Sequence, residues 1–321
     1  MRIVRPLSLA LRLLVVWSAA GGAAAIGWMA APGARPWPLL IGGALGLVGS
    51  AWASRSAVRR WQLTRQSPPA ALIRWLEAHV PFYGRLDAAG RERFVRDMRF
   101  VLAEYTFEAV GAAHVTDAHR WAVAAGIALL VHGRPTWEMP GTRTILFYPD
   151  RFDDAYAEGP YADYDGMAHA QGPLLMSAPA VARAWANPHD GDNVVLHELA
   201  HLFDLTGHGA DGVPTLVAAA SVEAWQALVK RELRAVRRGR SPLRSYAGTA
   251  PSELFAVAVE VFVERPDILA DARPALFDAL VALFQLDPRR PSAAPPQAAP
   301  NEQTIPSETE SPPPAPRPDA R

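Results

Sequence analysis

The segment NVVLHELAHLFDLTGHGADG, residues 193–212, places two histidines four residues apart, with a glutamate directly after the first. The run around them has helical composition, and Asp192 or Asn193 is a suitable cap for its start. On a helix, positions four residues apart lie on one face about 6 Å from each other. The imidazoles of His197 and His201 can therefore reach one Zn²⁺, and the segment predicts a helix that carries a metal site.

Glu198 sits next to the first histidine, where its carboxylate can act as general base toward a water whose pKa zinc lowers toward neutrality. The pattern HExxH fixes only three positions, so it also arises by chance. Two features favour a real site. The helix is apolar around the motif, which indicates burial in a cleft, and buried histidines or carboxylates without partners are costly.

A catalytic zinc site needs a third protein ligand and an open position. His208 follows seven residues after His201, whereas the extended motif HExxHxxGxxH places a glycine three residues and a histidine six residues after the second histidine. Asp204 and Gly207 occupy those two positions, so His208 comes one residue late. We therefore predict that His208 does not bind the metal.

A glutamate from a later helix is the other candidate for the third ligand. The stretch SYAGTAPSELFAVAVEVFVERP, residues 245–266, is strongly helical and contains Glu253, Glu260 and Glu264. Glu253 and Glu260 are seven residues apart and share a face, so spacing alone does not choose between them. Glu253 lies in the first turn, near a loop, where sites commonly open.

Two further side chains are candidates for supporting roles. Asp204 lies seven residues after His197, on the ligand face, where its carboxylate either orients an imidazole N–H or is solvated or caps the helix. Tyr246 lies seven residues before Glu253 and either donates its hydroxyl to a tetrahedral oxyanion or packs in the fold. Glu260, if it is not the ligand, is expected to hold one of the ligand side chains in position from the side away from the metal.

Two short stretches predict strands, TRTILFYP at residues 142–149 and GPLLMSAP at residues 172–179. The second is interpreted either as a sheet edge along which a peptide pairs as an added strand or as a core strand. The remaining histidines are predicted to lie at the surface or in loops: His132, His169, His189 and His208.

Composition excludes several classes of protein and site. Of the 321 residues, 50% are hydrophobic, which is enough for a substantial core. The formal net charge is zero and no basic stripe alternates with aromatic residues, so we expect no nucleic-acid binding. Cysteine is absent, which excludes disulfides and thiolate ligands and restricts a transition-metal site to His, Asp or Glu.

The first 65 residues predict a transmembrane helical hairpin. Two apolar spans, at about residues 13–31 and 36–54, are separated by a short Pro/Gly turn, and each nearly matches a hydrocarbon core of about 30 Å. Arginines flank the outer ends of the spans: Arg2, Arg5, Arg12, Arg55, Arg59, Arg60 and Arg65. The turn holds only Arg35, so the positive-inside rule places both ends in the cytoplasm of a bacterium, with the spans in its inner membrane.

A cleaved signal peptide is the alternative for the first span, since a basic start precedes an apolar stretch and a small-residue segment. In that case the second span would still anchor the chain, with the catalytic domain outside. Residues 66–290 are then predicted to form one globular domain, and residues 291–321, rich in proline, a disordered or extended tail.

Several motifs in the same order resemble the Mlc titration factor A family of zinc peptidases, over roughly residues 75–288. These motifs are NVVLHELAHLFD, GADGVP, YAGTAPSELFAVAVEVFVERP and ALFQLDP, with ILFYPDRF before them. The resemblance implies an α+β, minimal gluzincin-like domain with a small sheet and helices around the HExxH helix. It also implies zinc held by His197, His201 and Glu253, with Glu198 as base.

The resemblance further implies weak aminopeptidase-type activity and a transcription regulator such as the repressor Mlc as partner. Known members are cytosolic, so the hairpin and the proline-rich tail depart from the family pattern. We therefore predict a membrane-anchored zinc metallopeptidase that acts on a peptide or protein substrate. The alternative is a non-catalytic, zinc-containing protein that sequesters a regulator, but the intact Glu198 favours the enzyme because a structural site needs no base.

Overall fold

Helices dominate the structure and surround one small sheet. The computed structural model describes residues 1–4, 6–30, 36–152, 164–205 and 211–291. The helices are α1 Pro6–Ala30, α2 Trp37–Arg65, α3 Ala70–His79, α4 Pro81–Arg85, α5 Ala88–Glu104, α6 Asp117–Leu130, α7 Ala178–Ala184, α8 Val194–Leu205, α9 Val222–Arg237, α10 Pro251–Glu264, α11 Pro266–Ala272 and α12 Pro274–Phe284. The strands are β1 Thr106–Ala109, β2 Thr144–Tyr148, β3 Gly166–Met167 and β4 Leu174–Ser177. The predicted α+β class is confirmed.

Helices α1 and α2 form an antiparallel pair at the predicted hairpin. Glycines let the two backbones approach closely: a Cβ added at Gly42 would lie 2.7 Å from the Cβ of Ala24, and one at Gly46 would lie 2.6 Å from the Trp17 ring. Both helices are long and apolar enough to cross a bilayer. Their outer faces expose large apolar side chains such as Leu47, which suggests association with a membrane.

The last turns of α2 extend beyond the predicted span and contact the globular part of the chain. Arg60 in α2 is only 4% exposed. Its guanidinium donates to Glu104 Oε2 at 2.7 Å and to Glu138 Oε1 at 2.8 Å. Arg143 donates to the same Glu104 oxygen at 2.6 Å. Partly buried ion pairs therefore join the hairpin to α5 and to the segment before β2.

The sheet has the order β1-β2-β4-β3, with β1, β2 and β4 parallel and β3 antiparallel to β4. The two predicted strands are confirmed as β2 and β4. The interpretation of residues 172–179 as a sheet edge is wrong, because β4 lies between β2 and β3 and all four of its residues are buried. A continuous apolar run is typical of a strand covered on both faces. The short strand β3 forms the edge of the sheet next to β4 instead.

The HExxH helix α8 lies in the core between α6 and α10. Gly126 in α6 permits this packing, since a Cβ there would lie 2.9 Å from side-chain carbons of both Leu199 and Val195. On the far side, Phe203 stacks on Trp137 with ring centroids 5.9 Å apart. Tight packing on both sides fixes the direction in which the α8 side chains point.

Four histidines were predicted to lie at the surface or in loops; His132 lies in the turn after α6 but is buried rather than at the surface. His132 is 2% exposed, and its Nε2 lies 2.7 Å from Nη2 of Arg93. Burial, followed by the Arg93 charge, lowers the pKa of His132 to about 3, so the imidazole is neutral and accepts this hydrogen bond. Its position at the end of the buried helix α6 explains the burial. His189 is exposed, His169 is half-buried, and His208 lies outside the described residues.

Candidate metal centre

Asn193 sets the start of α8 and thereby the position of the motif. Its Oδ1 accepts from the backbone N–H of Leu196 at 3.1 Å, which is the N-cap contact. Its Nδ2 donates to the carbonyl of Ala184 and to Oε1 of Glu264, both at 2.9 Å. Of the two caps that the sequence allowed, the structure uses Asn193, because this side chain is also anchored to α7 and α10.

Three side chains from α8 and α10 converge at one point. The Nε2 atoms of His197 and His201 lie 3.2 Å apart. Glu253 places Oε2 at 3.1 Å from Nε2 of His197 and Oε1 at 3.5 Å from Nε2 of His201. One ligand atom from each of the three lies within 4.8 Å of those from the others.

The donor atoms fit a small divalent cation. Bonds of 2.0–2.1 Å in a tetrahedral zinc site place neighbouring ligand atoms about 3.3 Å apart, close to the observed separations. The buried oxygens Oε2 of Glu253 and Oε2 of Glu198 have no hydrogen-bond partner among the described residues. Two imidazole nitrogens that face each other beside unpaired carboxylate oxygens form an arrangement that a cation completes.

Glu260 lies behind His197 rather than beside Glu253. Its Oε1 is 2.7 Å from Nδ1 of His197, and its Oε2 accepts from the backbone N–H of Asn193 at 2.5 Å. Arg244 binds both oxygens, with Nη1 to Oε2 at 2.9 Å and Nη2 to Oε1 at 2.8 Å. Because the carboxylate already accepts from arginine, we assign the Nδ1 proton to His197, which leaves Nε2 as the ring nitrogen that faces Glu253 and His201.

The charges at the site influence one another strongly. Burial disfavours the charged form of His197, but the carboxylates of Glu253, Glu260 and Glu198 outweigh burial and raise its pKa to about 10. Burial alone would raise the pKa of Glu253, but the adjacent imidazoles of His197 and His201 lower it. Three carboxylates around two imidazoles leave an excess of negative charge, which a proton or a metal cation neutralises.

The base candidate Glu198 is held against the sheet. It is 5% exposed, and burial raises its pKa against the opposing effect of the two imidazoles. Gly166 of β3 lies directly on it, since a Cβ at that position would approach Cγ of Glu198 to 2.5 Å and Cδ to 2.7 Å. Only a glycine fits there, so the edge strand and the carboxylate are in direct contact.

Comparison with known proteins identifies the family. The family model described as glucose-regulated metallopeptidase M90 matches residues 54–285, which is most of the chain. The chain belongs to this family. The M90 match begins inside α2, so α1 and the apolar part of α2 lie outside it.

Individual relatives agree with the M90 assignment. Mlc titration factor A of Serratia proteamaculans is 25% identical over 249 residues, covering 71% of this chain and 93% of the relative. Mlc titration factor A of an Enterobacter species is 26% identical over 247 residues, covering 70% of this chain and 90% of the relative. An uncharacterized protein of a Synechocystis species is 26% identical over 244 residues, covering 72% and 89%. The predicted resemblance is confirmed.

Tyr246 lies beside His197, in a 3-10 turn formed by Ser245–Gly248. Its ring centroid is 6.0 Å from that of His197, and the side chain is 45% exposed. Burial, followed by the charges of Glu253 and Glu198, raises the pKa of Tyr246 to about 12. The hydroxyl therefore keeps its proton at neutral pH and lies next to the Glu253 carboxylate.

Asp204 is buried, which excludes the solvated alternative. Its Oδ2 accepts from the backbone N–H of Gly212 at 3.1 Å, and burial raises its pKa to about 6. This contact ties the end of α8 to the following chain. The predicted hydrogen bond from an imidazole N–H to Asp204 is not among its described contacts, and that role stays a prediction.

Two residues of the M90 site were missed in the sequence. Arg244 directly precedes the Tyr246 turn, and the one available signal for it was the general need of a buried glutamate for a cationic or hydrogen-bonding partner. Gly166 carried no signal, because its value depends on contact with Glu198 from a distant part of the chain.

Proposed function

We propose that this M90 metallopeptidase is a zinc enzyme that hydrolyses peptide bonds in an aminopeptidase-like manner. His197, His201 and Glu253 would hold the metal. Glu198 would act as general base. The observation that carries the proposal is the convergence of the three ligand atoms within 4.8 Å, next to a buried Glu198 oxygen that lacks a partner.

The donor set favours zinc over harder or softer cations. Two imidazole nitrogens and one carboxylate oxygen are a ligand set typical of catalytic zinc, whereas Mg²⁺ and Ca²⁺ prefer oxygen ligands throughout. The chain has no cysteine that could add a fourth, closing ligand. When bound, zinc polarises the substrate carbonyl and lowers the pKa of a water molecule toward neutrality.

The protein side chains then have separate roles in the reaction. Glu198 takes the proton from the attacking water through its unpaired oxygen and later gives it to the leaving amine. Tyr246 donates its hydroxyl to the carbonyl oxygen as negative charge develops there. Glu260, fixed by Arg244, holds the Nδ1–H of His197 and thus the orientation of the ligand nitrogen.

A second candidate function is the binding of a transcription regulator. It is supported by the name that several relatives carry, Mlc titration factor A. In that alternative the zinc site would be structural. The presence of Glu198 with an unpaired oxygen supports catalysis, since a structural site gains nothing from a base at that position.

Cleavage of amino-acid anilides by the full chain in detergent tests the enzymatic proposal. We expect activity that a chelator abolishes and zinc restores. Glu198→Gln should lose activity while it keeps about one zinc per chain, because the base is not a ligand. Unchanged turnover in this variant would refute the catalytic assignment, and turnover that survives zinc removal would refute the role of the metal.

We further propose that the hairpin spans the inner membrane with the catalytic domain in the cytoplasm. Support comes from the two apolar helices and from the arginines at their outer ends. Alkaline phosphatase, which is active only outside the inner membrane, should be inactive when fused after Arg65 and active when fused within residues 32–38. An active fusion after Arg65 would place the peptidase in the periplasm.

A further inference from the structure

A recess of about 630 Å³ lies where the hairpin meets the globular domain. Its wall combines α1, α2, α5 and the segment before β2, and its charged lining residues are Arg12, Arg55, Arg59, Glu104 and Arg143. The recess is about as large as ordinary small-ligand sites. It is separate from the metal centre.

Within the described part of the chain, the positive charge of this recess has few carboxylate partners. Glu104 is already paired with Arg60 and Arg143. Among the described residues, no carboxylate pairs with Arg12, Arg55 or Arg59. These three guanidiniums are exposed around one concave surface, which suits an anion with several oxygen acceptors.

The depth of the recess matches the headgroup layer of a bilayer. The uncharged part of α1 after Arg12 and that of α2 before Arg55 each rise about 27 Å to the tip of the hairpin, close to the thickness of a hydrocarbon core. In an inserted hairpin, Arg12 and Arg55 would therefore lie at the level of the lipid phosphates. Trp52, which stacks 4.2 Å under Arg55, is a residue typical of this interface.

We propose that this recess binds the headgroup of an anionic phospholipid of the cytoplasmic leaflet. Arg12, Arg55 and Arg59 would bind the phosphate. The exposed apolar faces of α1 and α2 next to the recess, for example Val15 and Val48, would contact the acyl chains. A bound lipid would then touch both the hairpin and, through Arg143, the peptidase domain. The proposal rests on the membrane insertion proposed above.

Native mass spectrometry of the full chain, extracted from nanodiscs of phosphatidylglycerol and phosphatidylcholine, tests the site. We expect retained phosphatidylglycerol to exceed phosphatidylcholine by about tenfold. Arg55→Gln combined with Arg59→Gln should lower that retention about fivefold or more. The control pair Arg65→Gln and Arg74→Gln removes the same charge outside the recess and should change retention less than about twofold. Equal loss in both pairs would mean general surface attraction and would overturn the proposal.

Melting of the wild-type chain supplies a test that needs no variant. Phosphatidylglycerol should raise the melting temperature and phosphatidylcholine should not, because only a ligand of the folded state stabilises it. An equal rise with millimolar inorganic phosphate would identify a soluble-anion site and overturn the lipid assignment. Carbonate extraction tests insertion separately: a chain that resists extraction but shows no lipid preference refutes this site alone.

Discussion

Replacement of Arg244 by methionine should weaken both the fold and the metal site, although Arg244 is not expected to touch the metal. The Glu260 carboxylate is fully buried and receives two hydrogen bonds from Arg244, at 2.9 and 2.8 Å. Removal of one partner of a buried ion pair costs about 3–5 kcal/mol. Since the Arg244 side chain is 32% exposed, water partly replaces it, and we expect the low end, about 3 kcal/mol.

That cost converts into two measurable quantities. A loss of about 3 kcal/mol lowers the melting temperature of a domain of this size by roughly 6–12 °C. Zinc affinity should fall by about 10- to 100-fold, as is typical when the group that orients a ligand imidazole is disturbed. Competition with a chromogenic chelator measures the affinity. Arg237→Met is a matched control, because Arg237 donates to the Gly248 carbonyl at 2.7 Å and does not contact Glu260.

A double-mutant cycle decides whether the effect passes through the carboxylate. In a Glu260→Gln background the buried charge is gone, so Arg244→Met should cost less than about 1 kcal/mol. The reasoning is refuted if Arg244→Met costs as much in that background as in the wild type, or if the variant binds zinc within about twofold of wild type.

Three other perturbations test separate parts of the site. Glu253→Ala should lower zinc affinity by about an order of magnitude or more, and His208→Ala should not; the reverse result in metal analysis would favour the extended-histidine motif. Gly166→Ala places a Cβ 2.5 Å from Cγ of Glu198 and should lower kcat by about 100-fold while the zinc content stays unchanged. Full activity of this variant would contradict the contact between β3 and Glu198. Burial raises the pKa of Glu264 to about 8. The folded state thus binds a proton that the unfolded state releases above about pH 4.5, and stability should fall between about pH 4.5 and 8, by at most about 1.4 kcal/mol per pH unit. In urea unfolding, Glu264→Gln should lack this pH-dependent part of the free energy of unfolding. A pH slope identical to that of the wild type would exclude Glu264 as its source.

The helix α8 and its local chemistry were determined by the sequence. The i, i+4 spacing of His197 and His201 fixes their common face wherever the helix packs, and the cap lies within a few residues of the motif. The apolar hairpin helices and strands β2 and β4 were determined in the same way, because the composition of each short segment is enough to assign its secondary structure. These features depend on neighbours along the chain, so they could be predicted without a structure.

Only the tertiary structure decided which groups meet across the chain. Glu253 and Glu260 share one face of α10, and the angle at which α10 crosses α8 brings Glu253 to the two Nε2 atoms and Glu260 to Nδ1 of His197. Packing of the same kind put Arg244 on Glu260 and β3 on Glu198. Periodicity specifies the face of a helix but not its partner, because the partner is chosen by packing contacts between segments far apart in sequence.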